Sequence, residues 1–435
     1  MPGWVADAIW WQVYPLGFTG AERSAVDEVH HRLPHLERWL DHLLELGCNG
    51  LALGPVFASS THGYDTVDHF RIDPRLGDEA DFDALVAAAH ARGVRVLLDG
   101  VFNHVGRRHP AFRALAEQGP SAPTADWFRP RWPERWEPGV EPEVDVFEGH
   151  DILVELDHSS EAVVDLVTRV MVHWLDRGAD GWRLDAAYAV PPEFWARVLP
   201  AVRAAHPDAY VVGEVIHGDY ARAVAVGGLD AVTQYELWQA VWHGIEERNL
   251  FELAWSLKRH AVFLESFVPW TFVGNHDVTR IASVLSDERH LPHAHVVLFT
   301  LGGTPAVWSG DEHAFRGVKA DRAGGDDAVR PPFPPDPSGL SPLGLPTFHL
   351  HQELIGLRRR HPWLHTAAPE QVHVANEQLV YAVAGRGERL LVALNLADAP
   401  CRLPAPGVRG VLAGTADTGR DVVDLPPHGW AVLAS

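Results

Sequence analysis

The chain has 435 residues, with 36 Lys or Arg against 58 Asp or Glu and a net charge of −22. Nucleic acid and anionic membrane surfaces repel so acidic a chain, so the expected partner is a neutral small molecule. A composition of 46% hydrophobic and 22% charged residues is that of a globular protein with two or three domains, and two distant cysteines, Cys48 and Cys401, build neither a disulfide framework nor a zinc site.

The N-terminal stretch lacks a basic segment followed by a long apolar core, and no apolar run reaches the roughly 18 residues that span a bilayer, so a cytoplasmic protein is expected. Residues 8–14 (AIWWQVY) are apolar and too short for a helix, which predicts a first buried strand. Leu36, Leu40, Leu43 and Leu44 repeat at helical spacing, with Gly47 as the stop. A strand follows at 50–54, a helix at 82–92 closed by Gly93, and a third strand at 94–99 that ends on a carboxylate.

The alternation then pauses. Residues 104–157 are rich in Pro, Trp and charge without a sustained period, and read as an inserted subdomain. It holds Trp127, Trp132 and Trp136 of the chain's 17 tryptophans, whose flat faces suit sugar rings as well as protein cores. A helix capped by Ser159 or Ser160 comes next, then strands at 181–185, 210–214, 231–234, 270–274 and 304–308 with helices between them, one of them near 192–202.

Eight strand candidates alternating with helices predict an α/β fold, a closed (β/α)8 TIM barrel over 1–103 and 158–362, with the small insert following strand three. An open doubly wound sheet is the alternative, but strand one lacks a Gly-rich phosphate loop. A Pro/Gly-rich loop at 323–345 and a helix at 350–360 finish the barrel. Residues 363–435 change to alternating strands, such as 378–383 and 390–396, and predict a C-terminal antiparallel β domain.

In such a barrel chemistry collects at the C-terminal strand ends. These carry Asp99 with Asn103 and His104, then Arg183 and Asp185, then Glu214, then Asn275, His276 and Asp277. Arg183 and Asp185 lie two apart and share a strand face, where an arginine lowers an aspartate's pKa and keeps it ionised. By itself that is an ordinary ion pair. A ring of acids around it fits glycoside hydrolysis with retention, in which one carboxylate attacks and a second protonates the leaving oxygen. A divalent metal is the competing reading, but neither an H-x-x-x-H pair nor a tight acidic loop supports one, so no metal ligand is assigned.

The segments DGVFNHVG (99–106), GWRLDAA (181–187), VVGEV (211–215) and FVGNHD (272–277) occur in this order. With HGYDTVDHFRIDPRLG (62–77) and GGTPAVWSGDE (302–312), the chain resembles the α-amylase superfamily of glycoside hydrolases, family 13, over essentially its whole length. The resemblance implies Asp185 as nucleophile, Glu214 as general acid/base and Asp277 as the third acid that holds sugar hydroxyls. It implies that Arg183 orients Asp185, that Asp99 is a supporting acid, and that Tyr64 is the platform under the reacting sugar. His104 and His276 are implied sugar-hydroxyl ligands, and His62 and Asn275 complete the substrate-binding set.

Within the superfamily the chain is most similar to the neopullulanase/cyclomaltodextrinase group, through Ser60–Thr66 and GEVIH (213–217). This implies a hydrolase of α-1,4-glucosidic bonds in cyclic or short maltooligosaccharides. Ser60, Thr61 and His62 stand where exo-acting α-glucosidases usually carry an acid, which implies an open, endo-acting cleft; Ala186 resembles α-1,4-acting members. The chain departs from the group in lacking its long N-terminal β domain and in carrying LVELD at 153–157 in place of M-P-K-L-N. No cofactor is required, and calcium is conceivable but not indicated, since the insert's acids form no recognisable cage. A homodimer through another surface stays open. A transglycosylase or α-glucosidase on the same site, and a non-catalytic binding barrel, are the alternatives.

Overall fold

Eight short strands form one sheet: β1 (Trp10–Val13), β2 (Gly50–Leu53), β3 (Arg95–Gly100), β4 (Gly181–Leu184), β5 (Tyr210–Gly213), β6 (Ala231–Val232), β7 (Trp270–Phe272) and β8 (Thr304–Trp308). In this computed structural model, which describes residues 1–322 and 324–435, the strands run in the order β6-β5-β4-β3-β2-β1-β8-β7 with every neighbour parallel. A single bridge, Thr233 with Trp270, joins the two ends, supported by the Gln234 N–H donating to the Trp270 carbonyl at 2.9 Å. The sheet therefore closes as a barrel. Ala323, the first residue of the expected loop 323–345, lies outside the described residues.

Strands covered on both faces read as continuous apolar runs, which is why their sequence signal is length and punctuation rather than alternation. Inside the barrel Trp10 stacks on Trp270 (centroids 5.5 Å apart) and on Tyr210 (6.3 Å), with Ala52, Leu97, Val212 and Phe272 filling the remainder. Gly50 is needed here, because a Cβ at that position would meet the Trp10 ring at 2.3 Å. Outside the strands, Trp11, Trp39, Trp174, Trp182 and Trp195 are buried against the helices. Much of the tryptophan content is thus core.

The helix Glu79–Ala91 starts on a reciprocal capping box between Asp78 and Asp81, and Leu40–Leu46 ends at Gly47 with φ of 98°. The run 36–44 is two helices, Leu33–Glu37 and Leu40–Leu46, rather than one. The expected serine cap fails. Ser160 occupies the N-cap of Glu161–Asp176 without a side-chain capping bond, and its hydroxyl is buried without a partner, while Ser159 donates to Asp157. Between β6 and β7 lie two helices, Tyr235–Glu246 and Leu250–Leu264.

The insert after β3 is held at its base by His104–Gly106 running antiparallel to Leu153–Glu155, and contains the helix Pro110–Gln118. At the C-terminal end, Pro369–Val374, Gln378–Gly385, Glu388–Asn395, Trp430–Ala434 and Gly410–Gly414 form a five-stranded antiparallel sheet. The helices after β6 reach it: the Leu250 N–H donates to the Asn376 carbonyl at 2.8 Å, and Arg248 pairs with Glu377 and Asp398. No helix among the described residues is long and apolar enough to cross a membrane.

A side chain on Gly181 has no room, because its Cβ would lie 2.1 Å from the Tyr210 carbonyl oxygen on the neighbouring strand. Gly181→Ala should therefore destabilise the barrel by about 2 kcal/mol or more, read as a lowered urea midpoint, since the obstacle is backbone and cannot rotate away. An unchanged midpoint would show that the β4–β5 spacing is looser than described.

Candidate active site

Neighbouring strands deliver the charged groups to one mouth. Register places Asp99 of β3 opposite Arg183 of β4. The ladder continues one residue further on each side, with the Asp185 N–H donating to the Gly100 carbonyl (3.0 Å) and the Glu214 N–H to the Leu184 carbonyl (2.9 Å). Both acids sit just past their strands on a backbone still fixed by the sheet.

Arg183 is the hub. Its Nη1 lies 2.8 and 2.9 Å from the two Asp99 oxygens and 2.9 Å from Asp185 Oδ1; its Nη2 lies 2.6 Å from Glu214 Oε1. Glu214 Oε2 also accepts from the Ala186 N–H at 3.0 Å, and Ala186 is held at φ of 45° to aim that N–H. A relay runs on from Glu214. The Tyr235 hydroxyl donates to Oε1 (3.1 Å), Asn275 Nδ2 donates to that hydroxyl (2.9 Å), and Asn275 Oδ1 accepts the Asp277 N–H (2.8 Å).

Asp277 is the most open acid, its side chain 32% exposed, and it has its own cation: Arg330 Nη2 donates to Oδ1 at 2.7 Å. His276 Nε2 stands 2.9 Å from Oδ2. Tyr64 stacks on His276 with rings 5.6 Å apart and nearly parallel, and its hydroxyl bonds both His276 Nε2 and Asp99. His62 Nδ1 accepts the Tyr64 N–H at 3.2 Å. His104 stacks on Phe147 of the insert at 4.9 Å. All ten residues singled out from the sequence thus meet around one mouth.

Two expectations need correction. The pairing with Arg183 does not hold Asp185 at a low pKa. Burial, with the charges of Asp99 and Asp277, raises it to about 7 against the arginine's pull. Burial is the larger cause, and one guanidinium shared among three carboxylates does not offset it. Second, His104 has no free nitrogen for a sugar in this structure. Its Nε2 bonds the Tyr64 carbonyl (3.0 Å) and its Nδ1 the Asn103 amide (3.2 Å), so it braces the loop that carries Tyr64.

The other groups separate by environment. Burial raises Asp99 to about 6 and also raises Glu214. For Asp277 burial is outweighed by His276, Arg330 and Arg183, which hold it well below the usual carboxylate range. Burial lowers His276 and His62 and takes His104 down to about 3, so His104 is neutral near pH 7. Such a cluster holds shared protons and one firmly charged acid, the mixture that acid–base work at sugar oxygens uses.

Three contributing side chains escaped the sequence reading. Arg330 lies in the loop after β8, where only its charge marked it among prolines. Tyr235 follows β6 directly, as the first residue of the helix Tyr235–Glu246, one position past the strand predicted at 231–234. Gln12, within 3.4 Å of His276 Nδ1, is a polar residue inside the first apolar strand, a signal that was readable. Among the described residues, the groupings of His, Asp and Glu with metal-ligand spacing lie elsewhere.

A parallel eight-stranded barrel whose strand ends gather acids on one arginine has the arrangement that glycoside hydrolysis uses. The chain belongs to the α-amylase family: residues 12–333 match the model described as alpha amylase, catalytic domain, and residues 370–433 match a domain of unknown function, DUF3459. It is 29% identical to a cyclomaltodextrinase of Geobacillus thermopakistaniensis, covering 100% of this chain and 78% of that one. A Bacillus cyclomaltodextrinase is 31% identical over 91% of this chain and 73% of the relative. The structure superposes on the cyclic alpha-maltosyl-(1→6)-maltose hydrolase of Arthrobacter globiformis with a TM-score of 0.84, 25% identity and the full length of both chains.

A raised carboxyl pKa has a defined stability cost. Between the unfolded value of 3.8 and the folded value of about 7 the native state holds a proton that the unfolded chain does not. Asp185 thus favours folding below this window, and that contribution is lost as pH rises through it. Asp185→Asn should accordingly be more stable than the parent near pH 8, on the order of 2 kcal/mol, with the gap closing near pH 4. Urea midpoints at the two pH values check this; a variant less stable at both would refute the crowded-acid account.

Proposed function

We propose that this protein is a retaining α-glucan hydrolase that cleaves α-1,4-glucosidic bonds in cyclic or short maltooligosaccharides. The observation that carries the reading is the sharing of one guanidinium by Asp185 and Glu214. Side by side on its two nitrogens, they fit the roughly 5–5.5 Å carboxyl separation of double displacement better than the roughly 6.5–9.5 Å of inversion.

In this mechanism Asp185, as the carboxylate, attacks the anomeric carbon while Glu214, as the acid, gives its proton to the glycosidic oxygen. The glycosyl–Asp185 ester then yields to water activated by Glu214, now the base. The Ala186 N–H and the Tyr235 hydroxyl fix the Glu214 carboxyl group in place through both steps. Asp277, kept ionised by Arg330, accepts sugar hydroxyls, and Tyr64 underlies the reacting ring. The two carboxylates carry the chemistry, so no cofactor is needed. The substrate class rests on the named activities of the cyclomaltodextrinase relatives and of the cyclic maltosyl-maltose hydrolase that shares the fold end to end. Likeness to an intracellular maltogenic amylase of Bacillus subtilis supports a cytoplasmic location.

Glu214→Gln should lower kcat on unactivated glucans by about 10²–10⁴-fold and spare sugars whose leaving group needs no proton, as steady-state rates on both classes will show. Equal losses on both classes would remove Glu214 from the acid role. For the substrate, a panel of cyclic maltosyl-maltose, cyclodextrins, maltooligosaccharides, pullulan and soluble starch should give fastest cleavage of a small ring. Proton NMR should detect the α-anomer first. Preference for starch would overturn the substrate reading; sugar transfer to added glucose as the main outcome would make the protein a transglycosylase; no turnover would leave a binding barrel.

A further inference from the structure

A second convergence of ligating side chains lies behind β8, away from the acid cluster. His42, on the helix Leu40–Leu46, faces Glu312 and His313 of the 3-10 turn Asp311–His313. The ligating atoms of the three lie within 4.8 Å of one another, and all three residues are buried. His42 Nε2 stands 3.2 Å from Glu312 Oε1, close to the separation of two ligands on a tetrahedral zinc with bonds of about 2.0–2.1 Å. Glu312 is fixed in place by the Trp11 indole N–H on Oε1 (3.2 Å) and the Gly310 N–H on Oε2 (2.7 Å).

His313 sets this group apart. Only 8% exposed, it has both ring nitrogens buried without a hydrogen-bond partner. Both His313 nitrogens are thus without a protein partner and available to a ligand. In the two other groupings of this kind the histidines already have protein partners: His31 bonds Asp81, His290 bonds His428, and His428 bonds Asp398. His313 also lines a cavity of about 700 Å³ with Leu285, Leu291, Phe315, Leu343 and Leu350, which gives the group an approach from outside.

We propose that His42, Glu312 and His313 bind one divalent transition-metal ion, for which Zn²⁺ is the best match, with the fourth ligand position turned to this cavity. Two imidazoles and one carboxylate suit Zn²⁺ and its neighbours, and are too few and too nitrogen-rich for Ca²⁺ or Mg²⁺. The ion would pin the turn after β8 to the helix after β1. That turn also holds Asp311, which with the Ser309 and Val329 carbonyls anchors Arg280 (2.7, 2.9 and 2.9 Å). The role is structural and independent of the sugar chemistry.

The test is Co²⁺ titration of the full-length protein after chelator treatment. One equivalent should give the visible band of four-coordinate Co²⁺, one equivalent of Zn²⁺ should discharge it, and Zn²⁺ should raise the unfolding temperature. His313→Ala removes no hydrogen bond; it should lose the band and weaken Zn²⁺ binding by about 100-fold. His42→Gln, which can still donate to Glu312, should do the same. Absence of the band in the parent would overturn the proposal. So would a band and affinity unchanged in both variants, which would put the ion on another group such as Asp287, His290 and His428.

Discussion

One buried cation among three carboxylates is the constraint on which the site depends. Arg183 reaches Asp99, Asp185 and Glu214 at once, and no second arginine touches those three among the described residues. A cluster with that imbalance holds protons near neutrality. Asp277 escapes because His276 and a second arginine, Arg330, serve it separately. The contrast between a proton-sharing trio and a firmly ionised fourth acid comes from burial of the trio around one guanidinium and from the His276 and Arg330 contacts to the fourth. Replacing Arg183 by lysine would keep a charge but lose the planar fork that spans Nη1 and Nη2.

The barrel makes this distribution geometrically stable. Asp99 and Arg183 are opposite in register, and Asp185 and Glu214 are each one ladder bond beyond their strands. Below them the stacked Trp10, Tyr210 and Trp270 rings fill the interior. The acids therefore stand on a packed apolar floor, the source of the desolvation that raises their pKa values. The loops above complete the mouth: the insert brings Phe147 onto His104, and the loop after β8 brings Arg330 to Asp277.

The sequence was most legible where covalent order and spatial order coincide. Strand ends with acids could be read one by one, and the two-residue spacing of Arg183 and Asp185 translated directly into a contact. It was least legible where a side chain's meaning depends on a partner far along the chain. Tyr235 and Arg330 act through Glu214 and Asp277, and no local pattern shows either link. The pKa of Asp185 failed for the same reason: pairing is local, whereas burial and the charge of Asp277 come from the assembled barrel. Ser160 shows the reverse. Its position as an N-cap was readable, but whether its hydroxyl turned inward was decided by packing.

The seam of the barrel carries a final consequence. Between β6 and β7 closure rests on one bridge, from Thr233 to Trp270, and the two helices that connect those strands lean on the C-terminal sheet through Leu250, Arg248, Glu377 and Asp398. The C-terminal sheet thus acts as an external splint across the weakest joint of the catalytic cylinder. Asn275, His276 and Asp277 follow β7 directly, so loosening the splint would reach the sugar-binding acid before it reached the other acids on β3, β4 and β5. The small domain, remote from the chemistry, is in this sense part of the cooperative unit that keeps the mouth in shape.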